Sequence, residues 1–188
     1  MLNVENSYQT VPLPTGEIKG IFPTIEWYRK ISKHLNFNGK TVLDLGCCTF
    51  SYGIQAINDG ASLITGVENS DDRIRQCKDI LTEWGISKAE IIREDIEKFV
   101  PCGTYDVIIF SMVIHWLENP EVNIKRLVCY GKKIVFVYRY PQEKKEIGYR
   151  PSIDQLDSLM GEKAMIHEIL SDTEEQRIHL VIYDRNSI

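Results

Sequence analysis

Short apolar runs recur along the chain, and between them apolar residues return every three or four positions, so strands alternate with amphipathic helices. Thr41-Val42-Leu43-Asp44-Leu45, Leu63–Val67, Glu90–Arg93, Tyr105–Phe110 and Lys133–Tyr138 read as strands. Ile54, Ala56 and Ile57 continue a helix after the first of these, and Asp59-Gly60 ends it. From Asp71 to Trp84 the positions Ile74, Cys77, Ile80, Leu81 and Trp84 form one helical face, with Ser70 as cap and Gly85 as stop. Pro120 opens a helix over Glu121–Tyr130 that Gly131 ends. Upstream, Ile25, Tyr28, Ile31 and Leu35 mark a helix from Thr24, its expected N-cap. Downstream, a short helix over Ser152–Met160 precedes two runs, Ala164–Leu170 and Arg177–Tyr183, whose short polar link Ser171–Gln176 predicts an antiparallel pair. Strands and helices in this order predict a three-layer α/β domain with a mostly parallel sheet.

A chain of 188 residues suits one domain, expected as a covering strip and helix over 1–38 and a single α/β core over 39–188. Pro12, Pro14, Gly16, Gly20 and Pro23 exclude a long regular element before Thr24. Net charge changes the picture further: at -5 it argues against a dedicated nucleic-acid surface, though a local basic patch stays compatible with it. No run is apolar enough to span a bilayer and no basic leader precedes an apolar core, so a cytoplasmic protein is expected, as monomer or homodimer. The cysteines Cys47, Cys48, Cys77, Cys102 and Cys129 lack C-x-x-C spacing, so the expectation is reduced thiols and no metal site.

The strand ending in Asp44-Leu45 must turn sharply at Gly46 to enter the next helix, and helix N-termini offer unpaired N–H groups to a ligand. Thr49 or Ser51 is the expected cap there. Glu68 ends the second strand roughly 20 residues beyond the glycine turn, where a carboxylate can accept from two adjacent hydroxyls of a ribose. Ser111-Met112-Val113-Ile114-His115-Trp116 follows the apolar fourth strand at the carboxyl rim, where open α/β sheets bind ligands. His115 is either a base for a hydroxyl or amine nucleophile or a residue that satisfies its own loop. Trp116 and Tyr8 are either substrate contacts or packing aromatics. Arg139 just before the charged loop Pro141–Pro151, and Tyr149 and Arg150 within it, are either recognition groups for an anionic substrate or solvated residues.

Val42-Leu43-Asp44-Leu45-Gly46-Cys47 resembles the first motif of the class I, Rossmann-like S-adenosylmethionine-dependent methyltransferases, V-L-D-L-G-C-G-T-G. Cys48 and Phe50 stand where that motif has its later glycines, which places side chains where a positive φ or an open pocket is needed. The resemblance continues through Glu68, Asp95 and the segment before Asn119-Pro120, and implies a seven-stranded sheet completed by the terminal hairpin. It also implies S-adenosyl-L-methionine as cofactor, with Glu68 on the ribose and Asn69 beside it, Asp95 and Ile96 on the adenine, and Gly46 and Cys47 at the methionine part. Asp44 is implied for the amino group, Ser111 and Met112 for the pocket floor, and His115 as an optional base. The activity so implied is methyl transfer to an oxygen, nitrogen or sulfur nucleophile of a small molecule. The alternatives are a catalytically inactive methyltransferase-like binding domain, which Cys48 and Phe50 motivate, and an RNA methyltransferase. A nicotinamide dehydrogenase is disfavoured because the first turn lacks G-x-G-x-x-G.

Overall fold

The computed structural model of the chain describes residues 7–140, 148–173 and 177–185. Part of the expected Pro141–Pro151 loop (residues 141–147) and of the Ser171–Gln176 link (residues 174–176) therefore lies outside the described residues. Two compact units divide the chain, residues 1–95 and 96–188.

The first unit begins with a small antiparallel hairpin, β1 (Val11–Leu13) and β2 (Gly16–Ile18), inside the segment expected to lack long elements. Helix α1 (Thr24–Ile31) buries Ile25, Tyr28 and Ile31, the face its spacing predicts. Its N-cap is Pro23 rather than Thr24. The Thr24 hydroxyl instead donates to the Thr10 carbonyl at 2.8 Å and lies 3.0 Å from Ser51 Oγ, so it ties the leading segment to the next helix. Strand β3 (Thr41–Leu45), helix α2 (Ser51–Asn58), strand β4 (Leu63–Glu68), helix α3 (Asp71–Glu83) and strand β5 (Ala89–Arg93) follow. These strands run parallel in the order β5-β4-β3. Asp44 pairs with Gly66 and Glu68 with Arg93, which brings Asp44, Glu68 and the chain leading to Asp95 to one carboxyl rim. Val42, Leu43, Leu45, Ile64 and Val67 are buried, as strands covered on both faces require.

The second unit contains β6 (Tyr105–Ser111), a single 3-10 turn over Ile114–Trp116, α4 (Pro120–Val128), β7 (Gly131–Arg139), α5 (Ile153–Met160), β8 (Ile166–Asp172) and β9 (Arg177–Asp184). Parallel β6 and β7 are extended by antiparallel β9 and then β8, so the expected terminal hairpin is present. Ser152 and Gln155 form a reciprocal capping box that starts α5, and Gly161 ends it in the left-handed conformation. Ser111 pairs with Val137, and the Met112 N–H donates to the Val137 carbonyl at 2.7 Å, so the residues beyond β6 lie beside Tyr138 and Arg139 at the end of β7.

Candidate functional site

In the first unit the turn between β3 and α2 alternates left-handed residues, with φ of 67° at Gly46, 55° at Cys48 and 64° at Phe50. The positions where Cys48 and Phe50 replace glycines thus keep the backbone that glycine would favour. A left-handed residue with a side chain costs about 1–2 kcal/mol, and packing must offset it. The Phe50 ring is fully buried. A Cβ on Gly53 would lie 2.4 Å from it and one on Gly66 2.8 Å, so the ring fills space that two glycines leave in α2 and β4. Phe50 therefore turns into the core rather than across the turn. Cys48 is held differently: Arg73 Nη1 donates to its Sγ at 2.7 Å, and Cys77 Sγ donates to its carbonyl at 2.8 Å.

Neither Thr49 nor Ser51 caps α2. Their hydroxyls donate instead, Thr49 Oγ1 to Gln9 Oε1 at 2.9 Å and Ser51 Oγ to the Thr10 carbonyl at 2.7 Å. The same Gln9 oxygen accepts from the Thr49 N–H at 3.2 Å and the Ser51 N–H at 3.4 Å, so the cap arrives from the leading segment. Tyr8 stands next to Gln9, and the Arg73 guanidinium lies 5.7 Å from the centre of its ring. Arg73 thereby links Tyr8 to Cys48.

Glu68 is buried at the end of β4, and its carboxylate is already in use. Oε2 accepts from the Cys48 N–H, and Oε1 from the N–H groups of Asn69 and Ser70, all at 3.0 Å. A carboxylate has about four acceptor positions, so one remains, on Oε2. The two-handed grip on a ribose that the sequence pattern suggests requires one of these backbone bonds to open.

Asp44 differs from Glu68 in having an oxygen with nothing to bind. Its side chain is 1% exposed, and Oδ2 has no hydrogen-bond partner among the described residues. Burial first, and the neighbouring Glu68 carboxylate second, push its pKa up to about 7. A buried, uncompensated carboxyl of this kind is satisfied by a cationic donor. Asp95 follows β5 on the same rim, with its N–H donating to Glu94 Oε1 at 2.9 Å. The chain after it makes a turn over 96–98.

In the second unit Ser111, Met112 and Ile96 are buried, and Met112 adopts a left-handed φ of 53°. His115 Nδ1 is buried without a partner among the described residues. Burial, then the charges of Arg139 and Arg150, hold the imidazole down to about 4, so it is neutral at physiological pH. Its ring lies 5.0 Å from that of Trp116. Trp116 is 74% exposed, so it is not a packing residue.

The structure thus brings Asp44, Gly46, Cys47, Glu68, Asn69 and Tyr8 together in the first unit and places His115 with Arg139 in the second. Gln9, Arg73, Gly53 and Gly66 escaped the sequence reading. Gly66 inside a strand signals a close approach. No local signal marks Gln9. Among the described residues, no helix is long and apolar enough to cross a membrane.

The donor set of the first unit suits a ligand that carries both a cationic group and a ribose. A pavine N-methyltransferase of Thalictrum flavum subsp. glaucum is 31% identical over 91 residues, covering 48% of this chain and 26% of that protein, so the chain spans about a quarter of that relative's length. Magnesium protoporphyrin IX methyltransferase from Synechocystis PCC 6803, solved with bound S-adenosylhomocysteine, superposes with a TM-score of 0.70 at 15% identity, over 86% of this chain and 80% of that one. The [4+2]-cyclase SpnF superposes with a TM-score of 0.72 at 14% identity, over 85% of this chain and 80% of that one. These structural likenesses establish the fold, Rossmann-like α/β with a mixed seven-stranded sheet. Residues 36–179 match the methyltransferase domain family, and the chain belongs to the class I methyltransferases, the family whose cofactor is S-adenosylmethionine.

Proposed function

We propose that this protein transfers a methyl group from S-adenosylmethionine to an oxygen, nitrogen or sulfur nucleophile of a small molecule. The observation that carries the reading is the buried Asp44 carboxyl, whose Oδ2 has no partner at the rim where β3 and β4 end. A ligand ammonium beside it would convert an uncompensated carboxyl into an ion pair. Glu68 would hold a ribose hydroxyl through its remaining acceptor position, and Gly46 and Cys47 would line the methionine part. Asn69 and the assignments for Asp95, Ile96, Ser111 and Met112 extend the proposal by family resemblance, as does Tyr8 for the substrate.

When bound, the cofactor supplies an electrophilic methyl group, and the protein's task is to hold the acceptor in line with it. His115, neutral because of burial and two arginines, accepts a hydrogen bond or a proton only weakly. It orients an acceptor more effectively than it deprotonates one. Small-molecule methyltransferases among the similar proteins support this choice of acceptor, and the net charge of -5 disfavours RNA.

A second reading, a methyltransferase-like domain that binds without turnover, is favoured by one observation. Three backbone donors already occupy the Glu68 carboxylate. The two readings separate by incubating the protein with S-adenosylmethionine and a panel of hydroxyl, amine and thiol acceptors while measuring S-adenosylhomocysteine. Acceptor-dependent product lost in Glu68→Ala supports the enzyme. Cofactor binding with no product from any acceptor class supports the second reading.

A further inference from the structure

From Gly46 to Ser51, the turn that joins β3 to α2, every backbone N–H is taken up inside the protein. Gly46 and Cys47 donate to the Val67 carbonyl at 2.9 and 3.1 Å, Phe50 donates to the Cys47 carbonyl at 2.8 Å, and Cys48 donates to Glu68 Oε2 at 3.0 Å. The other two, on Thr49 and Ser51, both reach Gln9 Oε1. The Gln9 carboxamide thus stands at the start of α2, where the open end of a helix would otherwise draw a ligand oxygen.

Gln9 is itself firmly held. It is 4% exposed and bridges to Phe22. On either side of it the Thr10 N–H donates to the Phe22 carbonyl and the Phe22 N–H to the Tyr8 carbonyl, both at 3.0 Å. Gly20 passes so close that a Cβ there would lie 2.1 Å from the Gln9 carbonyl carbon. Residues 7–10 and 20–22 therefore form a short ribbon that fixes where the carboxamide points. The Thr10 carbonyl, which accepts from the Thr24 and Ser51 hydroxyls, fastens that ribbon to α1 and α2.

The turn needs such a hold. Cys48 and Phe50 keep left-handed φ of 55° and 64° although both carry side chains, a conformation that persists only where surrounding contacts impose it. Thr49 lies between them, and its N–H and Oγ1, 3.2 and 2.9 Å from Gln9 Oε1, pin the strained segment at its centre. Next to it the Cys48 N–H holds Glu68 Oε2, the oxygen with an acceptor position left for a ribose hydroxyl. Releasing Thr49 therefore loosens Cys48, and with it the Glu68 carboxylate.

We infer that Gln9 is a positioning residue for S-adenosylmethionine. It acts through the turn rather than on the ligand, holding Thr49 and Cys48, and through them Glu68, in the arrangement that binds the cofactor. The inference rests on the methyltransferase reading for the identity of that ligand.

The test measures S-adenosylhomocysteine affinity of the full chain by calorimetry, at a temperature where circular dichroism shows each variant folded. Gln9→Met keeps the length of the side chain and removes the oxygen, so affinity should fall ten-fold or more. Gln9→Glu keeps an acceptor in the same place, which the start of a helix favours, and should bind within about three-fold of wild type. Trp84→Phe controls for a loosened leading segment. It deletes the 2.9 Å bond from Trp84 Nε1 to the Pro12 carbonyl, at the C-terminal end of α3, and should leave affinity within two-fold. Hydrogen exchange reads the coupling from the other side, because an opening that frees Thr49 and Ser51 from Gln9 also loses the ligand. Saturating S-adenosylhomocysteine should therefore slow exchange at those two amides ten-fold or more in wild type. Unchanged affinity in Gln9→Met, an equal loss in Trp84→Phe, no recovery in Gln9→Glu, or exchange at the two amides indifferent to ligand would overturn the inference. If Gln9→Met does not fold, the exchange measurement on wild type decides. Wild type that binds no S-adenosylhomocysteine would overturn the cofactor reading and this inference with it, whereas wild-type binding that Gln9→Met leaves intact would overturn the inference alone.

Discussion

Replacing Phe50 decides whether the side chains in the glycine turn obstruct it or support it. The ring is wholly buried against Gly53 and Gly66, so truncation to Ala removes a core aromatic, at about 3–5 kcal/mol. Gly at the same position loses the ring as well but relieves the left-handed strain at φ 64°, about 1–2 kcal/mol. Its greater freedom in the unfolded chain returns about 0.5–1 kcal/mol of that relief. Phe50→Gly should therefore be destabilised by about 3 kcal/mol, and Phe50→Ala by somewhat more. Glycine stabler than alanine reverses the order found at ordinary helix or strand positions. Chemical denaturation of the three proteins measures the order directly, and the melting temperature of the Gly variant should fall by about 6–12 °C for a chain of this size. The coupling is also testable, since Gly53→Ala places a methyl 2.4 Å from the ring and should be tolerated far better once Phe50 is Gly. A Phe50→Gly variant as stable as wild type, with S-adenosylhomocysteine affinity raised ten-fold or more, would show that the ring blocks the site.

Three further outcomes follow from individual side chains. Asp44 holds a proton in the folded state up to a pKa of about 7, well above its ordinary value near 3.8, so its contribution to stability is lost as pH rises from about 4 to 7 and stays lost above that. In urea titrations, Asp44→Asn should remove this loss, on the order of 4 kcal/mol between pH 4 and 8, relative to wild type. His115 works in the opposite sense. Its pKa falls from 6.5 to about 4, so wild type loses stability as pH drops through that window, and His115→Gln should lose less over the same interval. Gln9→Ala removes the oxygen that accepts from Thr49 and Ser51, which should cost about 1–2 kcal/mol and speed hydrogen exchange at those two amides.

The sheet was legible because its strands are built on short apolar runs, and in β3 and β4 an acid stands at or beside the end of the run. Each run needs only its own composition to be recognised, and Asp44 and Glu68 fell at the strand ends where the pattern put them. A helix end that uses an adjacent side chain was legible too, since Ser70 caps α3 as local chemistry dictates, whereas Ser152, expected inside its helix, proves to be the cap of α5. The cap of α2 was not, because the oxygen comes from Gln9, some 40 residues earlier in the chain. The leading hairpin escaped because each of its strands has three residues, too few to show a period. Phe50 could be recognised as a departure from a glycine motif, yet its direction depends on the space at Gly53 and Gly66. Nor could the sequence show that Glu68 spends three acceptor positions on its own backbone while Asp44 spends none on Oδ2. Tertiary partners decide both.

The central claim, that Asp44 receives the cationic end of the cofactor, makes one quantity decisive: the proton released on binding. Calorimetric titration of S-adenosylhomocysteine at pH 6 and pH 8, in buffers of different ionisation enthalpy, measures it. With a free-protein pKa of about 7, Asp44 is about nine-tenths protonated at pH 6 and about one-tenth at pH 8. Pairing with the ligand ammonium should therefore expel about 0.9 proton at pH 6 and about 0.1 at pH 8, and Asp44→Asn should abolish the difference. Binding without proton release at pH 6, or release that persists in Asp44→Asn, would contradict the account.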